Sequence, residues 1–511
     1  MIRQIYLFVI LTLLLGCHSA NKINGVGQPR HLEYILTHSS KHKFSTDPVL
    51  SDYIMNQTFL GSVVGTLTRY KASGKYENFL LEDWTHSKDG LNWDLKLKPG
   101  LKTQMGHPID FYGYTSGLKK LLKIYYVHLG DDIAFQYLEG YRAFVTGKSS
   151  ELAGLKVISP YHLKLRFRIK PVDLYEILSM PYYGFHSESN FDSKGQWKDD
   201  RFIDSSGPYI LSTIEPDKQE LHLRARKGWF SINKKAPQTV HIKIQDFETL
   251  SLNVGNQIIY KRFKNLGEVP AGFSYLPENL AKITTYVLSD KKPPFNNVQN
   301  RQLLRYFVNS YLEKNPLDQL TSRSTTKMYP SFKDSSMPSD LNLNVKLKGN
   351  LKVYLPYREK GPQALKYQFG ALDFALRKMG LNPEYHNLKE LSLSESTRIL
   401  RDNKEFHIRS ASVVTDIEVK PSVIWMMFCT KMGVAFNDPS GRICKLTAKY
   451  QNSGDKDLAR YTDLFQEILE EDSSVIPLYR YGLGWLISNS IKQASVSPVN
   501  VIPSFDLVEI E

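Results

Sequence analysis

A chain of 511 residues carries too much apolar material for one core, and a prior of about 150 residues per domain points to about three units. Hydrophobic residues make up 41% of it and aromatics 12%, which excludes an intrinsically disordered chain; the 30 tyrosines and 25 phenylalanines suit a core and equally an adaptable binding cleft. The formal net charge of +14 favours anionic neighbours, but the lysines of LKLKPGLK (95–102) and GLKKLLK (117–123) recur at strand and helix spacing, and neither zinc-finger spacing nor an RNA-binding aromatic motif is present, which argues against nucleic acid as a partner.

Arg3 precedes an apolar run from Ile5 to Leu15 that only Thr12 interrupts. Crossing a bilayer takes about 20 apolar residues, so this run reads as the core of an export signal. It ends in Leu14-Leu15-Gly16-Cys17, which resembles the lipobox of bacterial lipoproteins. The resemblance implies removal of residues 1–16, a diacylglycerol on the Cys17 thiol and attachment to a membrane leaflet. His18 stands where an aspartate typically retains such proteins at the inner membrane. Residues 17–30 read as a polar, glycine-containing tether, and the expected location is the periplasm or cell surface.

Further on, HLEYILTH (31–38) has strand character. Leu91, Trp93, Leu95 and Leu97 alternate with Asn92, Asp94, Lys96 and Lys98 after a Lys-Asp-Gly turn, which predicts a half-buried strand ended by Pro99-Gly100. Asp110 is the expected cap of a helix whose Leu118, Leu121, Leu122 and Tyr125 share one face. Residues 155–168 read as a hairpin turning at Ser159-Pro160-Tyr161-His162, and 207–245 as strand-rich. From about 283 the pattern is mixed α/β: strand 282–289, helix 299–312, strand 351–356, helix 362–379 ended by Gly380, and helix 456–470. The last of these places Leu458, Tyr461, Leu464, Phe465, Ile468 and Leu469 on one side. Segment 321–345, rich in Ser, Thr and Lys, is expected to be a long loop.

Cys429 and Cys444 flank Asp438-Pro439-Ser440-Gly441, a type I turn signature that folds the chain back and brings the thiols together. A disulfide is the expected outcome in an oxidising compartment; a metal pair would need ligands that the nearby sequence does not supply.

The order of motifs resembles the family 5 extracellular solute-binding proteins, the oligopeptide, dipeptide and nickel-binding group, across nearly all of the mature chain. Residues 83–102 (DWTHSKDGLNWDLKLKPGLK) carry the densest likeness, continued by Gly106-His107-Pro108-Ile109-Asp110. Ser206-Gly207-Pro208-Tyr209, PPFNNVQNR (293–301) and Val475-Ile476-Pro477-Leu478-Tyr479 before Trp485 follow in register. The resemblance implies an α/β fold, the two-lobed type II periplasmic-binding-protein-like fold with an extra inserted subdomain. Lobe 1 is expected at 31–60, 156–245 and 484–511, the inserted subdomain at 61–155 and lobe 2 at 246–483. It also implies capture of a peptide-like ligand for an ABC importer, with permease and ATPase subunits as partners, a monomer and no cofactor.

By the same resemblance Asp416, just after the strand 408–415, is the candidate carboxylate for a peptide's amino terminus. The strand itself is the candidate for pairing with the peptide backbone. A helix cap or solvated turn is the plainer role for that aspartate. Arg409 is the candidate partner of a ligand carboxylate, and Trp425 and Tyr126 are candidate cleft aromatics. Around Val413–Pro421 the chain lacks the tryptophan and tyrosine usual in the family, and its proline is displaced by one residue.

Nothing marks an enzyme: no GxSxG, HExxH, phosphate loop or dinucleotide fingerprint occurs. His31, His38 and His42 read as a solvated cluster and no metal site is assigned. Two readings stand beside the peptide importer: a lipoprotein that has left transport for sensing or scaffolding, and a binder of nickel or another small solute.

Overall fold

The computed structural model describes residues 30–37, 44–49, 53–71, 75–129, 132, 134–171, 174–245, 250, 252, 255–261, 269–277, 282–319, 322–325, 327–329, 332–333, 341–356, 363–388, 391, 395, 399, 404–414, 421–429, 436, 438–453, 457–481, 484–494 and 504–511. The first half carries β1 (His31–Thr37), α1 (Tyr53–Val63), β2 (Leu81–His86), β3 (Asn92–Leu97), α2 (Phe111–Leu129), β4 (Leu155–Ser159) and β5 (His162–Arg166). It continues through β6 (Tyr209–Glu215), β7 (Glu220–Ala225), β8 (Thr239–Gln245), β9 (Gln257–Lys261) and β10 (Phe273–Pro277). The second half carries β11 (Lys282–Leu288), α3 (Val298–Lys314), β12 (Asp318–Gln319), β13 (Ser322–Ser324), β14 (Asn350–Leu355), α4 (Gln363–Met379) and β15 (Asn382–Asn387). Then come β16 (Ile408–Val414), α5 (Pro421–Phe428), α6 (Arg442–Ser453), α7 (Leu458–Asp472), β17 (Val475–Tyr481) and β18 (Gly484–Ser488).

These elements build three main sheets. The smallest runs β2-β3-β5-β4. Its turn forms as the sequence dictates: Asp89 Oδ1 accepts from the Leu91 amide at 2.9 Å and Gly90 takes φ +70°. Trp93, Leu95 and Leu97 are buried and Asn92 and Lys96 exposed, the alternation expected of a half-covered strand. Asp110 Oδ1 accepts from the Gly113 amide at 2.8 Å at the start of α2, whose Leu118, Leu121, Leu122 and Tyr125 join the same core. Each such buried side chain contributes roughly 1.5–3 kcal/mol relative to exposure.

The first large sheet has the order β10-β18-β9-β1-β8-β7-β6. Leu32, Tyr34 and Leu36 of β1 and Val240, Ile242 and Ile244 of β8 point to one face. There they meet Phe59, Leu60 and Val63 of α1 and Phe505 and Val508 near the C-terminus. The second large sheet has the order β12-β13-β17-β11-β16-β14-β15. Every residue of its central β11 is buried, because helices cover both faces. Leu304 and Val308 of α3 and Leu372 and Leu376 of α4 lie on one side, Ile424 of α5 and Phe465 and Ile468 of α7 on the other.

Strand pairing corrects three expectations. β9 runs parallel to β1, and β10 pairs with β18, so residues 257–277 belong to the first large sheet and the second begins at Lys282, not at 246. β4 and β5 belong to the small sheet, which therefore extends past 155 to Arg166. Such long-range partners leave no trace in local periodicity. Segment 321–345 is not wholly a loop: β13 pairs with β17, and Met328, Tyr329 and Phe332 are buried. On α7, Tyr461, Phe465, Ile468 and Leu469 are buried as expected, but Leu458 and Leu464 are exposed. Leu458 is the first helical residue, ahead of the packed turns, and Leu464 lies at the rim of the buried stripe.

Candidate functional site

A strand buried at the centre of a sheet has both edges paired; β16 does not. Along its whole length it pairs antiparallel with β11, from Leu288↔Ile408 to Lys282↔Val414. On its other side β14 reaches only Ile408 and Arg409. From Ser410 to Val414 that second edge meets no other strand among the described residues. Backbone donors and acceptors at such an edge call for a partner, and an added extended segment supplies one.

The floor beneath this edge is built from hydroxyls and amides. Gln368 of α4 donates to Ser410 Oγ at 2.6 Å, and the Tyr286 hydroxyl of β11 donates to the Gln368 carbonyl. Thr284 Oγ1 and Ser412 Oγ lie 2.9 Å apart, with Ser412 exposed. The row thus alternates a fixed, buried serine with an accessible one.

Arg409 projects from the same strand but is fully enclosed within lobe 2, its guanidinium 5.2 Å from the centre of the Phe406 ring. Burial pushes that group down to about 9. Tyr126 sits elsewhere, on α2 against the core of the small sheet, where its hydroxyl accepts from Arg142 at 3.2 Å and its ring lies 5.5 Å from the guanidinium carbon. Trp425 falls on α5, but its side chain, like Asp416 and Cys17, lies outside the described residues. Arg409 and Tyr126 therefore share no contact. Cys429 and Cys444 are bonded, with Cα atoms 5.5 Å apart, and tie the end of α5 to the first turn of α6. Of the three N-terminal histidines only His31 lies among the described residues, and it stands beside Glu33 and His241.

The chain passes between the two large sheets twice, through 278–281 and through 482–483. The first passage leads into β11, which pairs with β16, and the second leaves β17, on the other side of β11. Lys282 at the head of β11 donates to the Tyr260 hydroxyl of β9 at 2.8 Å. Gly484, the first residue after the second passage, lies under the Tyr275 ring: a Cβ there would stand 2.2 Å from Cε2. Sequence reasoning missed both Lys282–Tyr260 and Gly484–Tyr275: the first joins the two large sheets and the second depends on the strand order of the first.

The motifs that carried the sequence resemblance hold the framework. Asp204 accepts from His107 Nδ1 and from the Met105 amide, both at 2.9 Å, joining the Gly-His-Pro turn to the Ser-Gly-Pro-Tyr segment. Burial works to raise the Asp204 carboxyl, and these hydrogen bonds outweigh it and hold the group below its ordinary range. Gly207 packs against the end of α1, where a Cβ would stand 2.6 Å from the Ser62 carbonyl oxygen.

Residues 75–310 match the sequence profile described as bacterial extracellular solute-binding proteins, family 5 Middle. Over those residues the chain is similar to family 5. A curated relative, the nickel-binding periplasmic protein of Escherichia coli strain K12, is 22% identical over 269 residues. That match covers 50% of this chain and 48% of the relative, so the chain spans about half the length of the curated relative it matches. Among solved structures, the murein tripeptide-binding protein MppA of Escherichia coli superposes with a TM-score of 0.71 at 16% identity, covering 94% of this chain and 99% of that one. The Haemophilus influenzae OppA complex with RPPGFSPFR gives 0.70 at 13% identity, covering 94% and 99%. The unliganded open form of MppA fits less well, at 0.59 and 16% identity, covering 94% and 98%. The fold of the chain is thus the two-lobed, type II periplasmic-binding-protein arrangement. No helix among its described residues is long and apolar enough to cross a membrane.

Proposed function

We propose that this chain captures a peptide-like solute between its lobes, outside the cytoplasm, and hands it to the permease and ATPase of an ABC importer. The observation that carries this reading is the open edge of β16 from Ser410 to Val414. An extended peptide laid along it gains backbone hydrogen bonds that are indifferent to side-chain identity. Asp416, two residues beyond the strand, receives the peptide's ammonium in a charge-assisted bond. Free energy of binding then draws the lobes together about the paired passages at 278–281 and 482–483. Among the similar structures, one is of a murein tripeptide-binding protein and one of an OppA complex with RPPGFSPFR. The better fit to one MppA structure than to its open form accords with lobes already drawn together.

The same reading places the chain on a membrane through lipid on Cys17, with no catalytic role. Thermal-shift assays of the purified chain against tri- to nonapeptides test it. A peptide-dependent rise in melting temperature is expected, and Asp416→Ala should remove the rise while leaving the ligand-free melt unchanged. A shift with nickel salts alone would favour the small-solute reading suggested by the curated relative's name. No shift with any solute would favour a scaffold. Mass spectrometry of the protein from its own cells should find a diacylglycerol-modified N-terminal Cys17, and an unmodified one would remove the anchor.

A further inference from the structure

The register of the first large sheet brings histidines and carboxylates from three strands onto one face. On β1, β8 and β7 the even-numbered Leu32 and Tyr34, the even-numbered Val240 and Ile242, and the odd-numbered Leu221 and Leu223 go to the core. Their neighbours His31, Glu33, His241, Lys243, Glu220 and His222 therefore face the other way. His241 lies directly opposite His222 on β7 and opposite Glu33 on β1, while Glu220 lies opposite Lys243. No local motif shows this grouping, because His31 and His241 are 210 positions apart in sequence.

We propose that Glu220, His222 and His241 bind a divalent transition-metal ion of the zinc or nickel type. One ligand atom from each lies within 4.8 Å of the others, close enough to share an ion after small side-chain rotations. His241 Nε2 stands 3.2 Å from Glu220 Oε2. The His222 and His241 rings stack 4.2 Å apart at an interplanar angle of 12°. Two imidazoles and one carboxylate form a donor set that suits zinc and nickel, and three protein ligands leave positions for water. Side chains of His241 and Glu220 are 16% and 32% exposed, so the site is shielded but reachable.

A second group, His31, Glu33 and His241, also has its ligand atoms within 4.8 Å. There the Glu33 carboxylate is already engaged by Lys243 at 3.2 Å and by the Gln257 amide at 2.6 Å. Glu33 instead faces the other ring nitrogen of His241, Nδ1, at 3.9 Å. At that distance it makes no hydrogen bond to the ring, so Glu33 is left out of the proposed ligand set. The charged and titratable groups around His241 are Glu220, His222, Glu33, Lys243, Glu215 and His31.

Equilibrium dialysis of the full chain against zinc chloride and, separately, nickel chloride, read by elemental mass spectrometry, tests the site. About one ion per chain is expected at pH 7.5, weakening as pH falls toward 5.5. His222→Gln and His241→Gln should each weaken binding by at least about tenfold. His31→Gln should leave affinity unchanged. Glu220→Gln, which keeps volume and hydrogen bonding, guards against misfolding of the histidine variants and should also weaken binding. Absence of stoichiometric binding overturns the proposal. So does binding that survives both histidine changes, or binding that depends on His31 and not on His222.

Discussion

Lys282 donates a 2.8 Å hydrogen bond to the hydroxyl of Tyr260, joining the first residue of the second sheet's central strand to a strand of the first sheet. Both residues are buried. Removing the hydroxyl leaves a buried ammonium short of an acceptor, which costs about 1–3 kcal/mol. Tyr260→Phe is therefore expected to lower the urea midpoint with little change in slope. A variant as stable as the parent would show that this bond does not brace the join.

Gly484 makes the second joint observation. A methyl group there meets the Tyr275 ring at 2.2–2.4 Å, too close for either to stay in place. Gly484→Ala should destabilise the chain by about 1–3 kcal/mol, as overpacked sites do. Truncating the ring as well, in Gly484→Ala/Tyr275→Ala, should cost less than the sum of the two single losses. Strict additivity in chemical denaturation would place the cost elsewhere.

His186 gives the protein a pH-dependent stability. Its ring is fully buried and bonds the Pro181 carbonyl at 2.9 Å, and burial lowers its pKa from 6.5 to about 4. The unfolded chain binds this proton near pH 6.5, whereas the folded chain resists it until about pH 4. The stabilisation is therefore complete above pH 6.5, declines as pH falls from 6.5 to 4, and changes no further below. The shift corresponds to a contribution on the order of 3 kcal/mol. Melts from pH 7.5 to 4 should fall most steeply in that window, and His186→Gln should flatten the slope there.

The Cys429–Cys444 bond closes a loop with a sequence separation of 15. In the chain-entropy model this stabilises by ~3 kcal/mol. Reduction, or the double change Cys429→Ser/Cys444→Ser, should lower the melting temperature. An unchanged melt under reducing conditions would mean that packing of α5 on α6 alone holds this corner.

Local chemistry was legible wherever a residue's partners lie close along the chain. Asp110 as a helix cap, the Asp89-Gly90 turn, the alternation Trp93–Leu97 and the pairing of Cys429 with Cys444 all follow from spacing within about fifteen residues. The second lobe's starting point was not legible, because 257–277 resembles any strand pair until β1 and β18 claim it. For the same reason Arg409 looked available to a ligand. Its place on a strand says nothing about which face Phe406 and Ala411 enclose.

By itself the amino-acid order determined the resemblance to family 5, the mixed α/β character and the strand on which an extended ligand is proposed to lie. These depend on motifs and periods that survive in one dimension. Only the three-dimensional fold decided that β16 meets no second strand beyond Arg409 among the described residues, that Lys282 meets Tyr260, and that His31, Glu33, Glu220, His222 and His241 share a face. Each of those facts depends on which strands lie side by side. Such relationships are set by how strands are ordered in a sheet, which local propensity does not encode.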